Sequence, residues 1–214
     1  TAVKNEEPSL IFEADVEIEY EGFLEVSITT FISFNLLYVI WMFFIISSET
    51  ASGFNGSIMY VPHAARVITI CYFGFAALPA LFAAHVFCTY IIGGAYGLNN
   101  LLFIDLLGTS FFSSICVLVA LYAMAGLGFK LKTLPFYEFT QDSVYLDLRN
   151  HKHIIMVTVF SAAVHALSLY LYNYLRAIST NPEMFIRFFV GDILGTLITI
   201  FSLSFMLYAF FRER

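Results

Sequence analysis

The sequence predicts an all-α integral membrane protein, a single bundle of about six transmembrane helices. Hydrophobic residues occupy 60% of the 214 positions and charged residues only 12%, against about 25% charged in a soluble domain. The apolar residues fall in long runs, each long enough or nearly so to cross about 30 Å of hydrocarbon, whereas a β-barrel would show alternating segments of about ten residues. The lipid bilayer is therefore the first expected partner. The net charge of −6 argues against nucleic acid as another.

The chain divides into an acidic N-terminal segment, 1–27, and one transmembrane domain, 28–214. Within the acidic segment "VEIEYE" alternates with period two, which favours an exposed strand over a short interfacial helix. The transmembrane domain contains six apolar segments: 28–47, 60–76, 78–97, 101–128, 153–175 and 184–211. Only "GFAALPA" separates the second from the third, so these two are predicted to form either a tight hairpin or one unit kinked at Pro79.

Orientation is predicted from the Lys and Arg residues of the short loops, which are enriched on the cytoplasmic side. Six helices place both termini on the same side. That side has Lys4, Lys130, Lys132, Arg149, Lys152, Arg212 and Arg214, and the other side has Arg66, Arg176 and Arg187. Both termini and the long loop 129–153 are therefore expected in the cytoplasm.

Polar side chains recur at helical spacing inside three of the apolar segments. They are Asp105, Thr109, Ser113 and Cys116 in the fourth, Thr158, Ser161, His165, Ser168 and Tyr172 in the fifth, and Phe188, Asp192, Gly195, Thr199 and Ser202 in the last. Steps of three and four place each set on one helix face. Against lipid such faces are costly, but facing one another they exchange hydrogen bonds, so a polar seam is expected inside the bundle.

Charged and titratable residues mark one half of the bundle as a candidate site. These are His63, Arg66, Asp105, Arg187 and Asp192, all placed in its outer half by the predicted orientation. A charge at the bilayer centre costs about 2.5–3.5 kcal/mol even on a lenient scale, so such groups are expected to pair. The cluster is either an ion-pair network that fixes helix register or a polar pocket reached from outside. Arg66 is the first expected partner of Asp192 and His63 the second.

His85 and His165 lie near mid-membrane on two different helices. Two such histidines are the minimum for axial ligation of a b-type haem. They are therefore candidate ligands of a haem or pigment. The sequence requires none, because no spacing motif accompanies these histidines. A metal site built from His63, His85 and an aspartate is also without a motif, and no nucleophile–base pair is found. The chain is therefore expected to be neither an enzyme nor a metalloprotein.

Two patches resemble a known family. "FVGDILGTL" (189–197) is similar to the Gly-Asp-x-x-Gly signature in the last helix of the first class of bacterial membrane-associated sensor domains. "VPHAARVITICYFGFAALPALFAAHVF" (61–87) is similar to that family's Pro-started helix, short turn and small-residue helix. Phe188 and Phe189 stand where the family usually has Trp, and "PHAAR" replaces an uncharged turn. The resemblance implies that Gly191, Asp192 and Gly195 are motif residues, with the glycines admitting a close neighbour.

The family's sensor domains precede histidine kinase or diguanylate cyclase modules, and here no such module follows "FFRER". The resemblance therefore implies a sensor-like or ligand-binding domain of the bacterial inner membrane that signals through partner proteins. The alternative is a non-catalytic accessory subunit of a larger respiratory, photosynthetic or motor complex, in contact with other membrane or cytoplasmic subunits and with haem or pigment.

Overall fold

The computed structural model describes residues 20–44, 57, 59–92, 102–127, 151–176 and 181–211. These residues form helices and no strand. The helices are α1 (Tyr20–Phe44), α2 (Pro62–Phe73), α3 (Leu78–Phe87, prolonged by a π turn Cys88–Ile92), α4 (Phe103–Gly126), α5 (His151–Leu175) and α6 (Pro182–Phe211). A short 3-10 turn, Gly74–Ala77, joins α2 to α3.

Five helical stretches of the described residues are long and apolar enough to cross a membrane. They are Gly22–Phe43, Pro62–Ile92, Phe103–Gly126, Ile154–Leu175 and Pro182–Phe210. Their outward faces carry large apolar side chains, such as Leu36, Phe111 and Phe205, as lipid contact requires. The prediction of an all-α protein with transmembrane helices agrees with this architecture. Six separate crossings are not established by it.

The Pro62–Ile92 stretch is not straight. The ring of Phe34 on α1 lies 5.5 Å from the guanidinium carbon of Arg66 and 5.7 Å from the ring of His85. Nineteen positions separate Arg66 from His85, which corresponds to about 28 Å along a straight helix. Both can reach Phe34 only because the chain turns back between α2 and α3.

Gly74 is the residue that allows this reversal. It follows the last residue of α2 with φ 58° and ψ −137°, a conformation that side chains other than glycine's rarely adopt. Pro79 is in the first turn of α3, where its missing N–H leaves no bond unmade. Of the two arrangements that the sequence leaves open, the structure has the hairpin, and Pro79 does not kink a continuous helix.

The hairpin is held between α1 and the remaining helices. Both of its arms pack on α1, α2 also packs on α6, and α3 packs on α4, while α5 lies between α4 and α6. The core between them is closely filled by fully buried side chains that include Phe34, Ile70, Leu81, Val117 and Met124. Four helices thereby bring their inner faces to one level, where the polar seam lies.

The first helix begins earlier in the chain than the sequence predicts. α1 begins at Tyr20, so residues 20–27 belong to a helix rather than to a separate acidic segment, and the strand predicted for "VEIEYE" is wrong at Tyr20 and Glu21. Residues 1–19, the greater part of the loop 129–153 and residues 212–214 lie outside the described residues. The predicted orientation of the termini therefore stays a prediction.

Candidate functional site

Asp192 is fully buried at the centre of the bundle. It lies ten residues into α6, about 15 Å from the start of that helix and hence near half the thickness of a bilayer. Its Oδ2 atom is 2.5 Å from Nδ1 of His165 on α5 and 3.6 Å from Nδ1 of His63 on α2. One carboxylate oxygen thus faces the same ring nitrogen of two histidines from different helices.

Each histidine also contacts a serine hydroxyl through its other nitrogen. Nε2 of His63 is 3.0 Å from Oγ of Ser161, and Nε2 of His165 is 2.9 Å from Oγ of Ser113. The two imidazole rings are stacked, with centroids 5.8 Å apart and planes inclined by 18°. The pair therefore has approximate symmetry about the carboxylate, with Nδ1 inward and Nε2 against a hydroxyl.

Arg66 lies behind His165, on the side away from Asp192. Its NH1 group is 3.4 Å from Nε2 of His165, and its NH2 group donates to the hydroxyl of Tyr60 at 3.2 Å. The guanidinium is also held against the rings of Phe34 and Tyr60, at 5.5 and 5.2 Å. The predicted direct pairing of Arg66 with Asp192 is absent from the described contacts, because His165 lies between the two.

A non-helical segment carries Tyr60 into this site. Ser57, Tyr60 and Val61 are buried, and the Tyr60 N–H donates to the carbonyl oxygen of Gly191 at 2.8 Å. Non-helical backbone at membrane depth is tolerated only where protein surrounds it and satisfies its polar groups.

Gly195 makes this close approach sterically feasible. A Cβ atom at this position would lie 2.4 Å from the backbone C and O of Tyr60 and 2.7 Å from the nitrogen of Val61. The spacing of Gly191 and Gly195 predicts a close neighbour, and a close neighbour is found. It is the segment leading into α2, however, rather than the side of another helix.

Within the part of the chain that the structure describes, three buried polar atoms of the site have no hydrogen-bond partner. They are Nδ1 of His63, Nε of Arg66 and Oδ1 of Asp192. An unsatisfied buried polar group costs about 1–3 kcal/mol, more when it is charged, so such atoms are rare in a purely structural core. Three such atoms lie on neighbouring residues of this cluster.

Two of the five residues predicted for the cluster lie elsewhere. Asp105 accepts from Nε of Arg176 at 2.7 Å and from the hydroxyl of Tyr172 at 3.1 Å, near the ends of α4 and α5. This hydrogen bond to Asp105 raises the pKa of Arg176. Arg187 pairs with Glu183 one turn away on α6, at 2.8 Å. The prediction that Asp105 and Arg187 join His63, Arg66 and Asp192 is therefore wrong.

His85 lies outside the cluster. Its Nδ1 is 2.9 Å from the hydroxyl of Ser110 on α4, and its ring packs on Phe34. Both nitrogens of His165 are in contact with protein groups, Asp192 on one side and Ser113 with Arg66 on the other. The arrangement gives no support to axial haem ligation by His85 and His165.

His165 is the residue whose role the sequence did not reveal. The stripe on α5 correctly predicts that Thr158, Ser161 and His165 are buried, and all three are. On α4 Ser113 and Cys116 are likewise buried, whereas Ser202 near the end of α6 is exposed. The stripes show which face of each helix is inward, but not which residue meets Asp192.

Comparison with models of protein families, with curated proteins and with solved structures gave no match to this chain. The resemblance to bacterial membrane-associated sensor domains therefore stays a prediction.

Proposed function

We propose that this chain is a membrane-embedded, ligand-binding sensor domain, whose binding site is the buried cluster of His63, Arg66, His165 and Asp192. The observation that carries this proposal is the group of unpartnered atoms on three of these residues. A cluster that served only to fix helix register would be expected to satisfy its own hydrogen bonds. A ligand that completes them stabilises the arrangement in which the four residues converge.

The route to the site is proposed to follow Met59, Tyr60 and Val61, which lead from the side where α1 ends to the depth of Gly191. The rings of Trp41 and Tyr60 meet at 4.8 Å beside this segment. In the proposed topology α1, the two arms of the hairpin, α4, α5 and α6 make six crossings with both termini in the cytoplasm. The segment then descends from the outer face, and a ligand enters from outside.

α6 is the element proposed to transmit the signal. It carries Asp192 near its first third, and its last part from Phe201 onward is largely exposed, with Phe205 and Phe210 each 73% exposed. A change at Asp192 shifts a helix whose far end is largely exposed among the described residues, so a partner at the cytoplasmic face can read the movement. Allosteric coupling of this kind is typically worth about fivefold or more in affinity.

Photo-crosslinking in cells tests this proposal. A photoreactive residue in place of Phe210 is expected to capture a protein that carries a signalling output domain, and Asp192→Asn is expected to change the yield by about fivefold or more. The control is His85→Gln, which alters a buried histidine outside the cluster and is expected to leave the yield unchanged. The proposal is overturned if the captured proteins lack output domains, or if Asp192→Asn and His85→Gln behave alike.

The exposed part of α6 also supports the alternative that the chain is an accessory subunit, because an apolar helix end of this kind can pack against a neighbouring subunit. Purification in mild detergent distinguishes the two proposed functions. A haem absorption band or firmly bound subunits of a respiratory, photosynthetic or motor complex favour the accessory subunit. A colourless protein that copurifies only with itself or with a signalling partner favours the sensor.

A further inference from the structure

We infer that the ligand of this site is a divalent transition-metal ion of the zinc class, bound by Nδ1 of His63, Nδ1 of His165 and the carboxylate of Asp192. This inference deepens the proposed function, since it names the ligand class of the same site. The three residues form a group whose candidate ligand atoms all lie within 4.8 Å of one another, and all three are buried.

The hydrogen bonds around His63 carry the argument. The hydroxyl of Ser161 donates to the carbonyl oxygen of Thr158 at 3.1 Å, so its oxygen is left to accept from Nε2–H of His63. In a neutral ring Nδ1 then carries a lone pair, and that lone pair faces Oδ2 of Asp192 at 3.6 Å. Two acceptors that face each other in a buried site repel each other unless a proton or a metal ion lies between them.

His165 presents the same ligand atom once its ring proton moves from Nδ1 to Nε2. Its Nδ1 faces Asp192, and its Nε2 lies 2.9 Å from the hydroxyl of Ser113, which can accept a proton from it. Metal-bound histidines characteristically donate their second ring N–H to an oxygen that fixes the orientation of the ring. Both histidines of this group have such an oxygen in place, from Ser161 and Ser113 respectively.

Two of the three separations between ligand atoms fit a tetrahedral ion after small movements, and the third is at most 4.8 Å. Zinc–nitrogen and zinc–oxygen bonds of about 2.0–2.2 Å place neighbouring ligand atoms about 3.3 Å apart. The His63–Asp192 separation of 3.6 Å is close to this value, and the His165–Asp192 separation of 2.5 Å opens by less than an ångström. Oδ1 of Asp192, which has no partner, is a second oxygen available to the ion.

Arg66 shapes the rest of the site. Three protein ligands leave a fourth position open, as in zinc sites that exchange a bound molecule. The guanidinium lies 3.4 Å from His165, and its positive charge opposes a bare dication. We therefore expect an anion such as hydroxide in the fourth position.

Zinc binding by the purified full chain tests the inference. The protein is prepared in mild detergent without a histidine tag, stripped with a chelator, titrated with zinc alone and analysed for bound metal. One zinc per chain is expected for the wild type, with binding at least about tenfold weaker in His63→Gln and in Asp192→Asn. Cobalt in place of zinc is expected to give tetrahedral visible bands in the wild type and none in His63→Gln.

Three controls isolate the site. His85→Gln removes a buried histidine outside the group and is expected to bind zinc as the wild type does. A double substitution of His151 and His153 tests binding at histidines near the start of α5, and is expected to change nothing. If Asp192→Asn does not fold, Ser161→Ala is the substitute, with zinc binding about tenfold weaker through loss of the oxygen that orients His63.

Equal zinc uptake by the wild type and His63→Gln, or no zinc bound by a folded wild type, overturns the inference. If the folded wild type binds no zinc, a proton rather than a metal ion lies between His63 and Asp192. Either failure leaves the sensor proposal intact, because the crosslinking of α6 to a partner is measured without added metal.

Discussion

Asp192 on α6 and His165 on α5 are joined at the centre of the bundle by a 2.5 Å contact between Oδ2 and Nδ1. With a proton rather than a metal ion on Nδ1, His165 donates from Nδ1 to Asp192 and accepts at Nε2 from Arg66. His165 thereby connects a buried positive charge to a buried negative charge that it does not touch, and the two compensate each other through the imidazole.

Asp192→Asn is expected to destabilise the fold much more than Asp105→Asn does. Asp192→Asn leaves the charge of Arg66 uncompensated in the bundle, a penalty of about 3–5 kcal/mol. The midpoint of unfolding in detergent, measured with a denaturant, reports the change. Asp105→Asn is the matched control, because its partner Arg176 is 44% exposed and water replaces the lost contact. It is expected to cost much less.

The double variant Asp192→Asn with Arg66→Gln tests whether the two charges are coupled. Removal of the second charge is expected to restore part of the stability lost in Asp192→Asn. A loss equal to the sum of the two single variants contradicts the coupling, since independent sites add.

The sequence predicts the inward faces of the helices better than it predicts their partners. Spacing within α5 correctly places Ser161 and His165 inside, because that periodicity is a property of one helix. Which residue meets Asp192 depends on the depth and rotation of three helices, and no local pattern encodes these. Depth alone places Asp105 in the cluster, whereas it lies at the start of α4 beside Arg176, at the end of the neighbouring helix.

The segment before α2 shows a second limit. "YV" (60–61) is apolar and continues into a helix, so hydropathy assigns it to a transmembrane segment. Its backbone instead stays non-helical, because Gly191 supplies an acceptor for the Tyr60 N–H and Gly195 supplies room. The Gly-x-x-x-Gly spacing on α6 predicts a close neighbour, but the identity of that neighbour emerges only from tertiary structure.

Gly195→Ala is expected to destabilise the protein by about 1–3 kcal/mol, the range for overpacked cores. The added methyl meets the rigid backbone of Tyr60, which must move and weaken its hydrogen bond to Gly191. Gly126→Ala at the end of α4 is the matched control, because a Cβ there meets nothing within 4 Å. Its expected effect is neutral or stabilising by up to about 1 kcal/mol. Equal unfolding midpoints for the two variants contradict the close approach.

Gly74→Ala tests the reversal between α2 and α3 through the backbone alone. No atom lies within 4 Å of a Cβ at this position, so any loss comes from the φ of 58° rather than from a clash. A loss of about 1–3 kcal/mol in the free energy of unfolding is expected. If Gly74→Ala matches Gly126→Ala, the strained turn is not a feature of the folded protein.

The topology is tested by the accessibility of single cysteines in intact cells. Cys71, Cys88 and Cys116 are first replaced by alanine, since all three are free thiols. New cysteines at Gly53, Phe75 and Thr140 then report the loop after α1, the hairpin turn and the loop after α4. Gly53 and Thr140 lie outside the described residues, whereas Phe75 is 71% exposed at the turn.

Two topologies give opposite labelling patterns. If each arm of the hairpin crosses the membrane, an impermeant thiol reagent labels Gly53→Cys and leaves Phe75→Cys and Thr140→Cys unlabelled until the cells are opened. If Pro62–Ile92 makes a single crossing, the parity of the later helices changes, and Thr140→Cys is labelled from outside together with Gly53→Cys. The contacts of Arg66 and His85 with one ring of α1 favour the first pattern, because they require the chain to return after the turn to the level of Arg66. Labelling of Gly53→Cys and Thr140→Cys from the same side contradicts six crossings.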